Sequence, residues 1–100
     1  MQIIKKKEGD SLIIALTDEL DTTSAPELEA VLSSDLNGVT KLVFDFEKLN
    51  YLSSAGLRVL LKAQKTMAKQ GSMVIKHVND VIMDVFDMTG FSTILTIEEQ

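Results

Sequence analysis

Ser53 and Ser54 sit in the stretch "EKLNYLSSAGLRVLLKAQK", Glu47 to Lys65, between a hydrophobic strand signal and a strong helix signal. A serine just before a helix can cap it, its hydroxyl accepting from the free N–H groups of the first turn. Those donors and the helix dipole also favour negative charge nearby. A phosphate on Ser54 would be held by the same donors. It would bring about −1.5 to −2 charges to that edge and repel an acidic partner surface. A plain cap and a chemical switch are both open on these residues.

Other chemistry is sparsely provided. Asp18 and Asp21, in "TDELD", could bind a divalent cation, but solvated turn residues are the expected reading, and no metal site is assigned. His77 is the only histidine and is expected to be structural or exposed. A Ser-His-Asp triad would need it, yet neither serine lies in a G-x-S-x-G elbow. Neither G-x-x-x-x-G-K-[ST] nor G-x-G-x-x-G occurs, so no phosphate loop is signalled. These residues imply no catalytic residue and no cofactor.

The elements that must position the serines follow from periodicity and turn chemistry. Gln2–Lys6 and Ser11–Leu16 read as strands, and the short "EGD" between them as a hairpin. "TTSAPELEAVLSSDL" reads as a helix, with Ser24 and Glu27 spaced as a capping box, Pro26 in the first turn, and Ala25, Leu28, Val31 and Leu32 on the buried stripe. "KLVFDF", Lys41–Phe46, is apolar enough to predict a strand covered on both faces. A second helix runs from about Ala55 to Lys69, with Leu57, Leu60, Leu61, Met67 and Ala68 on one face. Arg58, Lys62, Lys65 and Lys69 form a basic stripe opposite. "SMVIKHV" is the next strand, Asn79 caps a third helix through Met88 that Gly90 ends, and "STILTI" closes the chain as a strand.

The order β-β-α-β-α-β-α-β predicts an α/β domain around a five-stranded mixed sheet, its first strand antiparallel and the rest parallel. Parallel strands share a C-terminal edge, which would bring Asp18, Asp21 and Ser54 together. The order of the strands stays open.

Composition sets the outer limits. One hundred residues, 45% hydrophobic and 25% charged, fit one globular domain, here residues 1–100. A net charge of −5 argues against nucleic acid or an anionic membrane as the main partner. No apolar run approaches a membrane span and "MQIIKKKEGD" is no signal peptide, so the expected compartment is the cytoplasm. The absence of cysteine fits a reducing environment.

Three segments in order, "LTDELDTTSAPELEAVL", "KLVFDFEKLNYLSSAGLRVLL" and "VFDMTGF", resemble the STAS domain, specifically bacterial anti-sigma factor antagonists. The resemblance covers nearly the whole chain. Members typically read D-S-[ST]-G-L around a switch serine. Aligned on Gly56 and Leu57, Ser54 takes the phosphorylated position and Asp21 the acidic end of a "GELD"-like segment. Ser53 stands where members carry aspartate, Ala55 where they carry Ser or Thr, and Asp18 where glycine is usual. The resemblance implies a binding switch rather than an enzyme. Its partners would be an anti-sigma factor serine kinase, which brings the ATP, and a PP2C-type phosphatase that resets the switch. Binding would use the edge formed by Asp18, Asp21, Ser53, Ser54, Ala55, Gly56, Arg58 and Lys62. The alternative is a STAS adaptor or subunit of a transport or signalling complex that works without phosphorylation.

Overall fold

The computed structural model describes residues 1–98. Residues 99 and 100, the end of the expected domain, lie outside them. The elements are β1 (Ile3–Glu8), β2 (Ser11–Leu20), α1 (Ala25–Asp35), β3 (Lys41–Leu52), α2 (Ser54–Ala68), β4 (Ser72–Lys76), α3 (Asp80–Thr89), a 3-10 turn (Phe91–Thr93) and β5 (Ile97–Glu98). β1 is antiparallel to β2, and the remaining pairs are parallel, as expected. No helix among the described residues is long and apolar enough to cross a membrane.

The strands lie in the order β1-β2-β3-β4-β5. Every crossover therefore steps in the same direction along the sheet. Right-handed crossovers that never reverse direction put all their helices on one face. The burial pattern agrees. Leu12, Ile14 and Leu16 of β2, Leu42, Phe44 and Phe46 of β3, and Met73 and Ile75 of β4 share one core with Leu28, Leu60, Ile82 and Phe86 of the three helices. Their alternates Ile13, Ala15, Val43 and Val74 lie outside that core.

This corrects the expectation that β3 is covered on both faces. Val43 is buried, but it lies in register between Ile13 and Val74 on a face that carries no helix. Asp45, the next residue on that face, is half-exposed. The run "LVF" is apolar because adjacent strands shield it, not because a second helical layer does.

The last strand is also shorter than the β-branched run "STILTI" predicts. After α3, Gly90 adopts φ +80 and caps the helix, its N–H donating to the Asp87 carbonyl at 3.3 Å. The chain then tightens, with the N–H groups of Ile94 and Leu95 both donating to the Phe91 carbonyl at 3.0 and 2.8 Å. Donors spent in that turn cannot join the ladder, so pairing starts only at Ile97. The third helix matches its sequence signals closely. The Asn79 side chain accepts from the Ile82 N–H at 2.8 Å, and its amide donates to the Leu49 carbonyl at 2.9 Å.

Candidate functional site

β2 and β3 are unusually long for so small a domain, and both run past the end of β4. Their last rungs pair Glu19 with Tyr51 and Leu20 with Leu52, and the Ser53 N–H adds one more bond to the Leu20 carbonyl at 2.9 Å. The extended backbone thus reaches Ser53 (φ −96, ψ 176) before it turns helical. The Ser53 carbonyl accepts the first helical bond, from the Leu57 N–H at 3.0 Å.

Ser53, not Ser54, is therefore the cap residue of α2, one position earlier than the sequence predicts. The reason is the additional sheet bond, which holds Ser53 in the strand conformation a cap requires. Its hydroxyl makes no capping bond and is buried without a partner. Ser54 becomes the first helical residue, exposed, and its hydroxyl makes no hydrogen bond among the described residues. The plain-cap reading of Ser54 falls away.

Gly56 explains how the helix can begin so close to the strands. A Cβ at that position would lie 2.6 Å from Leu52 Cδ1, 2.8 Å from Leu20 Cγ and 3.0 Å from the Leu20 carbonyl. Only a residue without a side chain lets the first turn of α2 rest on the β2–β3 end. Ala55 is half-buried beside it.

Asp21 follows directly after Leu20 and so lies next to Ser53 across the ladder. Its carboxylate accepts from the N–H groups of Thr23 at 2.9 Å and Ser24 at 3.1 Å and from the Ser24 hydroxyl at 3.2 Å. The Ser24 N–H above all holds this carboxyl below the usual aspartate range, against an opposing desolvation, with Thr23 and the Ser24 hydroxyl adding to it. Asp21 is thus an acid that stays ionised and locks the turn into α1. Ser24 does not form the expected capping box. Its hydroxyl is turned back to the Glu19 carbonyl at 2.9 Å, and it accepts from the Asp21 N–H at 2.9 Å.

Asp18 is placed differently. It sits at a bulge opposite Leu49, with φ +67. Its Oδ2 is 3.2 Å from the Thr17 hydroxyl and 3.9 Å from the Met1 amine. The side chain is therefore committed toward the β1 side rather than Ser53. The positive φ explains why glycine suits this position, since an L side chain is strained there. Asp18→Gly is expected to stabilise the fold by about 0.5 kcal/mol, strain relief outweighing the added freedom of the unfolded chain. Thermal unfolding monitored by circular dichroism should show a midpoint raised by roughly 2–4 °C. A lowered midpoint would mean that the exposed Asp18 contacts matter more than the backbone.

Arg58 and Lys62 project from α2 beside α1. They line a shallow groove with Thr22, Pro26, Glu29 and Ala55, at the same end of the molecule as Ser54. Lys62 Nζ bridges the groove to Glu29 Oε1 at 2.7 Å, whereas Arg58 is exposed and has no ion pair among the described residues. The candidate site is thus a β2–β3 tip bearing the exposed Ser54 hydroxyl, with Asp21 next to Ser53 and its carboxylate held in the turn to α1, and a charged groove between α1 and α2. The contribution of Pro26 and Glu29 from α1, and of Thr22 from the turn before it, was not foreseen. No local signal marks it, because Glu29 and Lys62 meet only once α1 and α2 pack.

The STAS domain family model matches residues 2–100. The candidate anti-sigma factor antagonist BtrV of Bordetella bronchiseptica is 32% identical over 99 residues, spanning 97% of this chain and 85% of that protein. A candidate anti-sigma factor antagonist from Thermotoga maritima superposes with TM-score 0.89 at 21% identity, covering 98% of this chain and 86% of that one. The Bacillus cell fate determinant SpoIIAA, in its phosphorylated form, superposes with TM-score 0.76 at 19% identity, covering 99% and 93%.

Proposed function

The chain belongs to the STAS domain family, and from that premise we propose that it is an anti-sigma factor antagonist switched by phosphorylation of Ser54. Unmodified, it binds an anti-sigma factor serine kinase through the β2–β3 tip and the α1–α2 groove, and so frees a sigma factor. The kinase transfers the γ-phosphoryl group of ATP to Ser54 Oγ, the hydroxyl proton leaving and ADP forming, and the complex separates. A PP2C-type phosphatase hydrolyses the ester and resets the chain. The protein itself contributes a binding surface and a phosphate acceptor, not a catalytic group. Its setting is the cytoplasm, where kinase and ATP are available.

The observation that carries this reading is the division of labour between the two serines. Ser53 takes the cap position and buries its hydroxyl, while Ser54 is exposed at the first helical position. First-turn N–H groups and the helix dipole would stabilise a dianion there. The relatedness to BtrV supports the assignment of class.

Incubation with the cognate kinase and ATP, followed by intact-mass measurement, tests the switch. Wild type and Ser53→Ala should each gain one phosphate, and Ser54→Ala none. An unmodified wild type, or phosphate on Ser54→Ala, overturns it.

A further inference from the structure

The face of the sheet that carries no helix has its own cluster of donor groups. Asp45 lies on β3, in register with Lys76 at the end of β4, so the next residue, His77, comes beside it. His77 Nδ1 is 2.8 Å from Asp45 Oδ1. Glu47 follows two residues along β3, and its N–H donates to the same Asp45 oxygen at 3.0 Å. One ligand atom from each of Asp45, Glu47 and His77 lies within 4.8 Å of the other two. A shallow hollow lined by Ile4, Ala15, Thr17, Asp45, Glu47 and Lys48 opens beside the two carboxylates.

We propose that Asp45, Glu47 and His77 form a three-ligand site for a divalent transition metal, with Zn²⁺ as the working probe. One imidazole and two carboxylates suit Zn²⁺ rather than Mg²⁺ or Ca²⁺, which take oxygen ligands only. Three protein ligands leave the remaining position to water, and the hollow gives it room. The side chains of Asp45 and His77 are each about one-third exposed, so an ion can reach them from solvent.

The backbone supports this arrangement from both sides. His77 is held at φ +60, one of two non-glycine residues with positive φ among the described residues, the other being Asp18. That turn directs the ring to Asp45 instead of continuing β4. Of the nearby cations, Lys76 pairs with Glu98 at 3.6 Å, and Lys48 lines the hollow. An ion held here would tie the middle of β3 to the β4–α3 junction, on the opposite face of the sheet from the helices. It is independent of the phosphorylation reading, since none of its ligands belongs to the β2–β3 tip.

With one histidine and no cysteine in the chain, adventitious transition-metal binding has few other donors. The test is a calorimetric Zn²⁺ titration of the full chain at near-neutral pH. The ring signals of His77 are followed in parallel by nuclear magnetic resonance. One equivalent should bind, with the His77 ring signals shifting in step. His77→Gly, which suits the backbone at φ +60, and Glu47→Gln, on the surface, should each weaken binding by about tenfold or more without loss of fold. Unmoved ring signals, or unchanged affinity in His77→Gly, would overturn the site.

Discussion

Gly71→Ala is expected to destabilise the domain by about 3 kcal/mol, at the upper end of what overpacking usually costs. Gly71 lies between α2 and β4, where the chain must drop from the helical layer into the sheet. Its N–H still donates to the Met67 carbonyl at 2.6 Å, while the next N–H, from Ser72, already donates to the Thr40 carbonyl at 2.9 Å. A Cβ on Gly71 would overlap the Thr40 carbonyl oxygen and lie 2.6 and 2.8 Å from its carbon and Cα. These are backbone atoms, so no rotamer change can make room. Moving the Thr40 peptide would break the first bond between β3 and β4 and disturb the Thr40 N–H, which donates to the Asp10 carbonyl at 2.8 Å. The unfolding midpoint should fall by roughly 12–24 °C at the usual sensitivity of a domain this size. A midpoint within about 4 °C of wild type would show that the crossover can shift as a unit.

That glycine shows where sequence reading succeeds and where it stops. Gly71 is recognisable as the end of a helix because it follows the last apolar position of α2. Its contact with Thr40 is invisible until β3 and β4 are in register. The same division holds elsewhere. Strand directions follow from crossover connections, and Asn79 and Gly90 identify α3 through purely local bonds. Whether Ser53 or Ser54 caps α2 depends on one cross-strand bond to Leu20, which no local pattern records. The bare face of the sheet follows from the strand order, and the apolarity of Val43 conceals it. Asp18 could be recognised as a departure from the family pattern, but its meaning lies in a backbone angle. His77 drew little attention as a lone histidine. Its neighbours Asp45 and Glu47 lie about thirty residues away and meet it only through the β3–β4 register.

Ser54→Asp is expected to weaken binding to the anti-sigma factor about 100-fold, or about 2.8 kcal/mol, while leaving the fold as stable as wild type or slightly more so. The two effects have opposite signs because they arise on different sides of the same charge. Within the chain, an anion at the first helical position is favoured by the dipole of α2, by about 0.3–1 kcal/mol. Toward the partner, it adds to Asp21 and repels acidic groups, where a single like-charge juxtaposition costs several kcal/mol. It also has an internal claim on Arg58, four residues along α2, the spacing at which opposite charges pair on a helix. Arg58 is exposed and lines the α1–α2 groove, so drawing it toward residue 54 removes a cation from the proposed docking surface. Arg58→Ala should therefore weaken binding by itself, and its effect should shrink in the Ser54→Asp background. A double-mutant cycle measures that coupling. Ser54→Asn, similar in shape but neutral, should bind like wild type. Binding retained within threefold in Ser54→Asp would sink the electrostatic switch. Loss accompanied by a midpoint several degrees lower would assign the effect to a damaged β2–β3 tip instead. Equal loss in Ser54→Asn would make shape, not charge, the quantity the partner reads.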